Sequence, residues 1–144
     1  MRAFQINDKY SSADIGIDVT ADSLEELFIA AAEGLTAIAI SSVAGNESRQ
    51  TTVRLSADSR EQLLVDWLSE LIYLFDADGF VSQEFAVKIK AGEGPTVELS
   101  AEIRGRGFNP ETDTARHDVK AVTYYKLAIK DDGGKMTCHV VFDL

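Results

Sequence analysis

The segment His117-Asp-Val-Lys-Ala-Val-Thr-Tyr-Tyr-Lys-Leu-Ala-Ile-Lys-Asp-Asp-Gly-Gly-Lys-Met-Thr-Cys-His-Val-Val-Phe-Asp-Leu144 holds two apolar runs on either side of Asp131-Asp132-Gly133-Gly134. Adjacent glycines supply the positive φ angles of a tight turn, so Val119 to Ile129 and Met136 to Phe142 are predicted to pair as a β-hairpin. In the second arm Met136, Cys138, Val140 and Phe142 alternate with Thr137, His139, Val141 and Asp143, which sends the two sets to opposite faces. Asp143 and the carboxylate of Leu144 then sit side by side on a strand. Two neighbouring anions on a rigid element repel each other unless they are well solvated or share a cation. A solvated strand end and a hard-cation site both remain open on the residues alone.

Working outward, Ile15, Ile17 and Val19 alternate as in a half-buried strand with Asp14 at its mouth, and Phe4 and Ile6 suit a short opening strand. Ser23-Leu24-Glu25-Glu26 reads as a capping box, Ser23 accepting from the first turn while Glu26 reaches back. Leu24, Leu27, Phe28, Ala31, Leu35 and Ile38 follow at helical spacing, which predicts a helix from Leu24 to Ile40. Ser41 to Gln50 is polar, and Thr52 to Ser56 is a further strand. Ser59-Arg60-Glu61-Gln62 is a second capping box. Leu64, Trp67, Leu68, Leu71, Ile72 and Phe75 form the apolar face of its helix, and Gly79 is the expected left-handed cap. Ile17 to Leu27 aligns with Val53 to Leu63, strand for strand and cap for cap, as a duplicated strand-helix unit would. Val81 to Lys90 and Thr96 to Arg104 flank Gly92-Glu93-Gly94-Pro95 as a second hairpin. Gly105 to Arg116 reads as a long loop of the functional kind. These elements predict one α+β domain over residues 1–144, two helices packed on a largely antiparallel sheet built from hairpins.

Composition narrows the function. Of 144 residues, 45% are hydrophobic and 26% charged, values of a globular protein, and no run is apolar enough to span a bilayer. The start of the chain lacks the basic-then-apolar pattern of a signal peptide, and one cysteine allows no internal disulfide, so a cytoplasmic location is expected. A formal net charge of −10 opposes strong direct binding of nucleic acid and favours cations or basic proteins as partners.

Gly105-Arg106-Gly107 lacks the later glycine of a dinucleotide fingerprint, and no phosphate-loop Gly-Lys-Ser/Thr occurs, so no nucleotide is expected on this chain. Cys138 and His139 are neighbours on a strand, point apart and cannot form a catalytic pair. With no second cysteine, His117 and His139 do not make a zinc site. The acids Asp14, Asp143, Asp66 and Asp76 remain. Asp66 and Glu70, one turn apart, fit the solvated side of a helix. Lys120, close to Asp118, is placed to form an exposed salt bridge, to neutralise an acidic cluster or to touch a phosphate.

Ala13-Asp14-Ile15-Gly16-Ile17, Ser23-Leu24-Glu25-Glu26-Leu27-Phe28, the run Leu64 to Asp76, Lys120-Ala121-Val122-Thr123-Tyr124 and the ending Val141-Phe142-Asp143 together resemble the archease family. The likeness spans both helices and both ends. It implies a protein cofactor, not an enzyme, that activates the RNA ligase RtcB in tRNA splicing and RNA repair, promoting ligase guanylation and multiple turnover. It also implies a divalent metal, Ca²⁺ first and Mg²⁺ or Mn²⁺ as alternatives, held by Asp14, Asp143 and Leu144, with Lys120 as the lysine implicated in activation. A chaperone or specificity modulator of a tRNA methyltransferase is the alternative role, and a metal-dependent hydrolase built from Asp14, Asp143 and Lys120 a further one. The chain departs from the family at Ser11-Ser12, where His-Thr is usual, which removes an imidazole beside Asp14 and leaves the acid in place.

Overall fold

The computed structural model describes residues 1–8, 13–41 and 48–144. The departure at Ser11-Ser12 lies outside them. The order of elements is β1 (Arg2–Asn7), β2 (Asp14–Ala21), α1 (Leu24–Ala39), β3 (Ile40–Ser41), β4 (Arg49–Ala57), α2 (Arg60–Asp78), β5 (Phe80–Ala91), β6 (Val97–Gly107), β7 (Thr114–Ala115), β8 (Ala121–Thr123), β9 (Lys130–Asp132) and β10 (Lys135–Asp143). The architecture is α+β with antiparallel pairing throughout the described ladders. The strands divide into a sheet in the order β1-β2-β10-β8, with β9 also on β10, a sheet β4-β6-β5, and the small pair β3-β7.

Local chemistry explains the helices. Ser23 Oγ accepts from the Glu26 N–H at 3.1 Å and Ser59 Oγ from the Gln62 N–H at 3.0 Å, so each serine satisfies an otherwise orphaned amide. In place of the return bonds expected of the boxes, the two side chains take other partners. Glu26 takes Arg2 at 2.7 Å, and the Gln62 amide bridges Asp66 and Tyr124. Gly79 caps α2 at φ 63°, its N–H reaching the carbonyls of Leu74 and Phe75. Ile40, expected as the last helical residue, is extended and caps α1. The layouts β2-Asp22-Ser23-α1 and β4-Asp58-Ser59-α2 repeat one another.

Both helices bury their apolar faces in one core. Trp67 is fully buried, donates through Nε1 to the Phe28 carbonyl at 3.1 Å and meets Phe85 edge to face at 6.0 Å. Ile17, Val19, Phe142 and Val140 enter the same core from β2 and β10.

The closing hairpin forms around Gly133 and Gly134, at φ 63° and 87°, with Asp132 opposite Lys135. Its first arm is interrupted. Val119 to Ile129 was expected to be continuous, whereas β8 and β9 are separate and Tyr124 to Ile129 bulges out against Cys138 to Val140. The cause is visible at α2: Glu61 accepts at 2.9 Å from the Ile129 N–H, an amide that a ladder would have used, and Gln62 accepts from the Tyr124 hydroxyl at 2.8 Å, which draws that side chain to the helix.

The stretch Gly105 to Arg116 is less of a loop than its composition suggests. Gly105 belongs to β6, where a Cβ would lie 1.9 Å from the Val81 carbonyl oxygen, beside the bulge at Ser82/Glu84, so only glycine fits. Arg106 then forms a buried two-pronged pair with Asp113, at 2.5 and 2.8 Å, and the Asn109 N–H adds a bond to Asp113 at 2.8 Å. Arg106 Nε is buried without a hydrogen-bond partner. These bonds to Arg106, then the one from Asn109, hold the Asp113 carboxyl below its ordinary value of 3.8. A lowered folded value means that the pair's stabilisation is complete above the unfolded value and disappears as pH falls through the folded one. Urea unfolding from about pH 5 to about pH 2 is expected to lose less midpoint in Asp113→Asn than in the parent, although the variant starts lower at neutral pH. Parallel losses in the two proteins would remove Asp113 as the titrating group.

Candidate metal centre at the tip of the sheet

Asp14 opens β2 and Asp143 closes β10, and the ladder register sets them directly opposite each other. Opposed residues of an antiparallel pair share a face. The Leu144 N–H donates to the Ala13 carbonyl at 2.8 Å. That bond flanks the pair and marks it as the narrow, non-hydrogen-bonded type, with Cα atoms about 4.5 Å apart. Both side chains are half-buried, as is Leu144. Like charges so placed destabilise a sheet unless something positive intervenes.

Lys120 joins them from the strand on the other side. Its N–H donates to the Asp143 carbonyl at 2.8 Å just before β8 begins, and its side chain is exposed. Ala13-Asp14, Lys120 and Asp143-Leu144, remote in sequence, therefore meet at one end of the sheet. The other acids do not join them: Asp66 accepts from Gln62 on α2 and Asp76 is exposed near the end of that helix.

The donor chemistry fits a hard cation. Carboxylate and main-chain oxygens are the ligands that Ca²⁺ and Mg²⁺ prefer. Among the described residues no three His, Cys, Asp or Glu side chains gather as a metal cluster. A set built here therefore requires the main-chain oxygens of Leu144 beside the two aspartates.

Two features of the same strand lie apart from this tip. Cys138 is buried on the core face, and burial first, then Asp18 and Glu61, pushes its thiol up to about 12, so it is an inert core residue. On the opposite face His139 stands in register with Asp18, Nδ1 to Oδ1 2.6 Å. Sequence reading separated His139 from Cys138 correctly but had no means of finding Asp18. A cavity of about 40 Å³ lies between the helices near Phe75, Phe80 and His117, with room for about one water. No helix among the described residues is long and apolar enough to cross a membrane.

Comparison with known proteins finds likeness along nearly the whole chain. The sequence model of the Archease protein family matches residues 4–144. Protein archease of Pyrococcus furiosus is 34% identical over 83% of this chain and 83% of its own length, and that of Methanosarcina mazei 32% identical over 92% and 91%. The solution structure of Methanobacterium thermoautotrophicum protein 1598 superposes with a TM-score of 0.79 at 30% identity, covering 98% of both chains. The crystal structure of a Thermotoga maritima archease, described as a possible chaperone, shares the fold, with a TM-score of 0.59 at 24% identity over 96% of both. With a family match running from the first strand to the last residue, and relatives covered almost end to end, the chain belongs to the archease family.

Proposed function

We propose that this protein is a non-catalytic activator of an RtcB-type RNA ligase, promoting formation of the ligase-guanylate, and that Asp14, Asp143 and Leu144 hold the divalent cation it uses. The observation that carries the reading is the register of β2 and β10, which opposes Asp14 and Asp143, with the Lys120 N–H bonded to the Asp143 carbonyl from the other side. When bound, the cation would supply positive charge for the anionic groups of a guanylation site. The chain's own residues do the rest. Asp14 and Asp143 present oxygens on one face, the ladder fixes their spacing, and Lys120 extends a cation from the same tip. Family membership supports a cofactor or chaperone-like role, and the net charge of −10 suits docking on a basic, RNA-binding enzyme.

The direct test measures guanylate transferred to purified ligase with and without this protein. Unchanged guanylation would remove the reading, and protection of a tRNA methyltransferase from aggregation in its place would favour a chaperone. Turnover of simple phosphoesters by the protein alone would favour a hydrolase. Calorimetry on the isolated protein gives a separate check: Ca²⁺ and Mg²⁺ are expected to bind and Asp14→Asn to abolish both titrations. Tight binding of zinc alone would contradict the oxygen-donor assignment.

A further inference from the structure

The geometry points to the knuckle Tyr124-Tyr125-Lys126 as the anchor by which this protein docks on its partner, and the partner as a protein with a basic surface that receives Tyr125. This rests on the function proposed above, with the ligase as that partner. Tyr124 and Tyr125 are 57% and 54% exposed, although the ring of a tyrosine is a large apolar surface. Among the described residues Lys126 is the one non-glycine residue at positive φ, 55°, and its Nζ lies 5.3 Å from the centroid of the Tyr125 ring. A lysine in the left-handed region is strained, and such strain persists only where surrounding bonds impose it.

Those bonds come from the first turns of α2. Tyr124 Oη donates to Gln62 Oε1 at 2.8 Å, and Gln62 Nε2 donates to Asp66 at 2.8 Å. At the far end of the excursion Glu61 accepts from the Ile129 N–H at 2.9 Å and Arg60 donates to the Ile129 carbonyl at 3.4 Å. Between them the Leu127 N–H closes a turn onto the Tyr124 carbonyl at 3.1 Å. The knuckle is thus held at both ends by a helix, and an anchor ordered before binding loses little entropy on docking.

Its position ties it to the acidic tip. Ala121 stands opposite Asp143, and Tyr124 lies three residues further along the chain, about 10 Å away at strand spacing. A stable interface covers about 800 Å² on each partner, a disc of roughly 16 Å radius, so a protein seated at this end of the sheet is wide enough to reach the knuckle as well as Asp143 and Lys120. Charge selects a protein over a nucleic acid: the chain carries −10, and strong RNA binding needs the opposite sign. Tyrosine is among the side chains that most often dominate protein interfaces.

The experiment measures affinity of the full chain for purified ligase, together with ligase guanylation and melting temperature. Tyr125→Ala is expected to weaken binding about 30-fold with an unchanged melting temperature, and excess variant is expected to restore guanylation. Lys126→Gly relieves the positive-φ strain and removes the cation that holds the ring. It is expected to melt no lower than the parent while binding several-fold more weakly. Parent-like affinity in both variants overturns the inference while leaving the proposed function intact. A parent that does not bind the ligase overturns both. Parent-like ligase binding by Tyr125→Ala together with loss of binding to labelled single-stranded RNA would reassign the knuckle to nucleic acid and overturn the protein-docking inference.

Discussion

Asp143→Ala is expected to abolish stimulation of ligase guanylation, returning the rate to that of the ligase alone, with stability changed by no more than about 0.5 kcal/mol. The separation follows from where the side chain sits. Its strand is fixed by Val140 and Phe142, both fully buried, and by backbone bonds to Ala13 and Lys120 that alanine at 143 retains. The side chain itself lies at the half-buried end of β10, opposite another carboxylate. Removing one of two opposed anions relieves repulsion, so the small change in stability should be favourable if it is resolved at all. Guanylation assays beside thermal melts check both halves. Stimulation equal to the parent's would reduce Asp143 to a solvated strand end, and a collapse in melting temperature would make it a structural residue.

Trp67→Ala is expected to cost roughly 3–5 kcal/mol, a large part of what holds a domain of this size together. Three losses combine: a fully buried ring leaves a cavity, its contact with Phe85 disappears, and the carbonyl of the buried Phe28 loses the indole donor. Because Phe28 is on α1 and Trp67 on α2, the substitution loosens the two helices from each other as well as from the sheet. Denaturant unfolding measures it. A change below about 1 kcal/mol would mean that the surroundings close over the gap and that the core is less tightly packed than it looks.

What the sequence made legible was local. Ser23, Ser59 and Gly79 act on amides or carbonyls within a few positions, and the turn at Gly133-Gly134 needs only its own φ angles, so each could be found by spacing. Features requiring a distant partner could not. Nothing in the alternation of β10 says that β2 is its neighbour or that Asp143 meets Asp14. On the residues alone a solvated strand end was the more ordinary reading of Asp143, and only likeness to a family grouped it with Asp14. The break at Tyr124 escaped notice because Val119 to Ile129 is apolar enough for an unbroken strand, and the competing acceptors Glu61 and Gln62 lie far away in sequence. Arg106 and Asp113 looked like loop residues because charged side chains are rarely buried, and their spacing across Asn109-Pro110 is no recognised signature of an ion pair.

The central place of β10 governs the order in which the molecule can assemble. β4, α2, β5 and β6 are consecutive and close their sheet through short connections, so that half pays little loop-closure entropy and can form early. β2 cannot gain its second neighbour, nor β8 its first, until the last strand in the sequence inserts between them. Ladders of such high sequence separation form late and slow the overall rate. The acidic tip, whose residues come from three remote segments, accordingly exists only when folding is finished: a chain stalled before that insertion would keep much of its helix and one complete sheet yet leave Asp14, Lys120 and Asp143 apart.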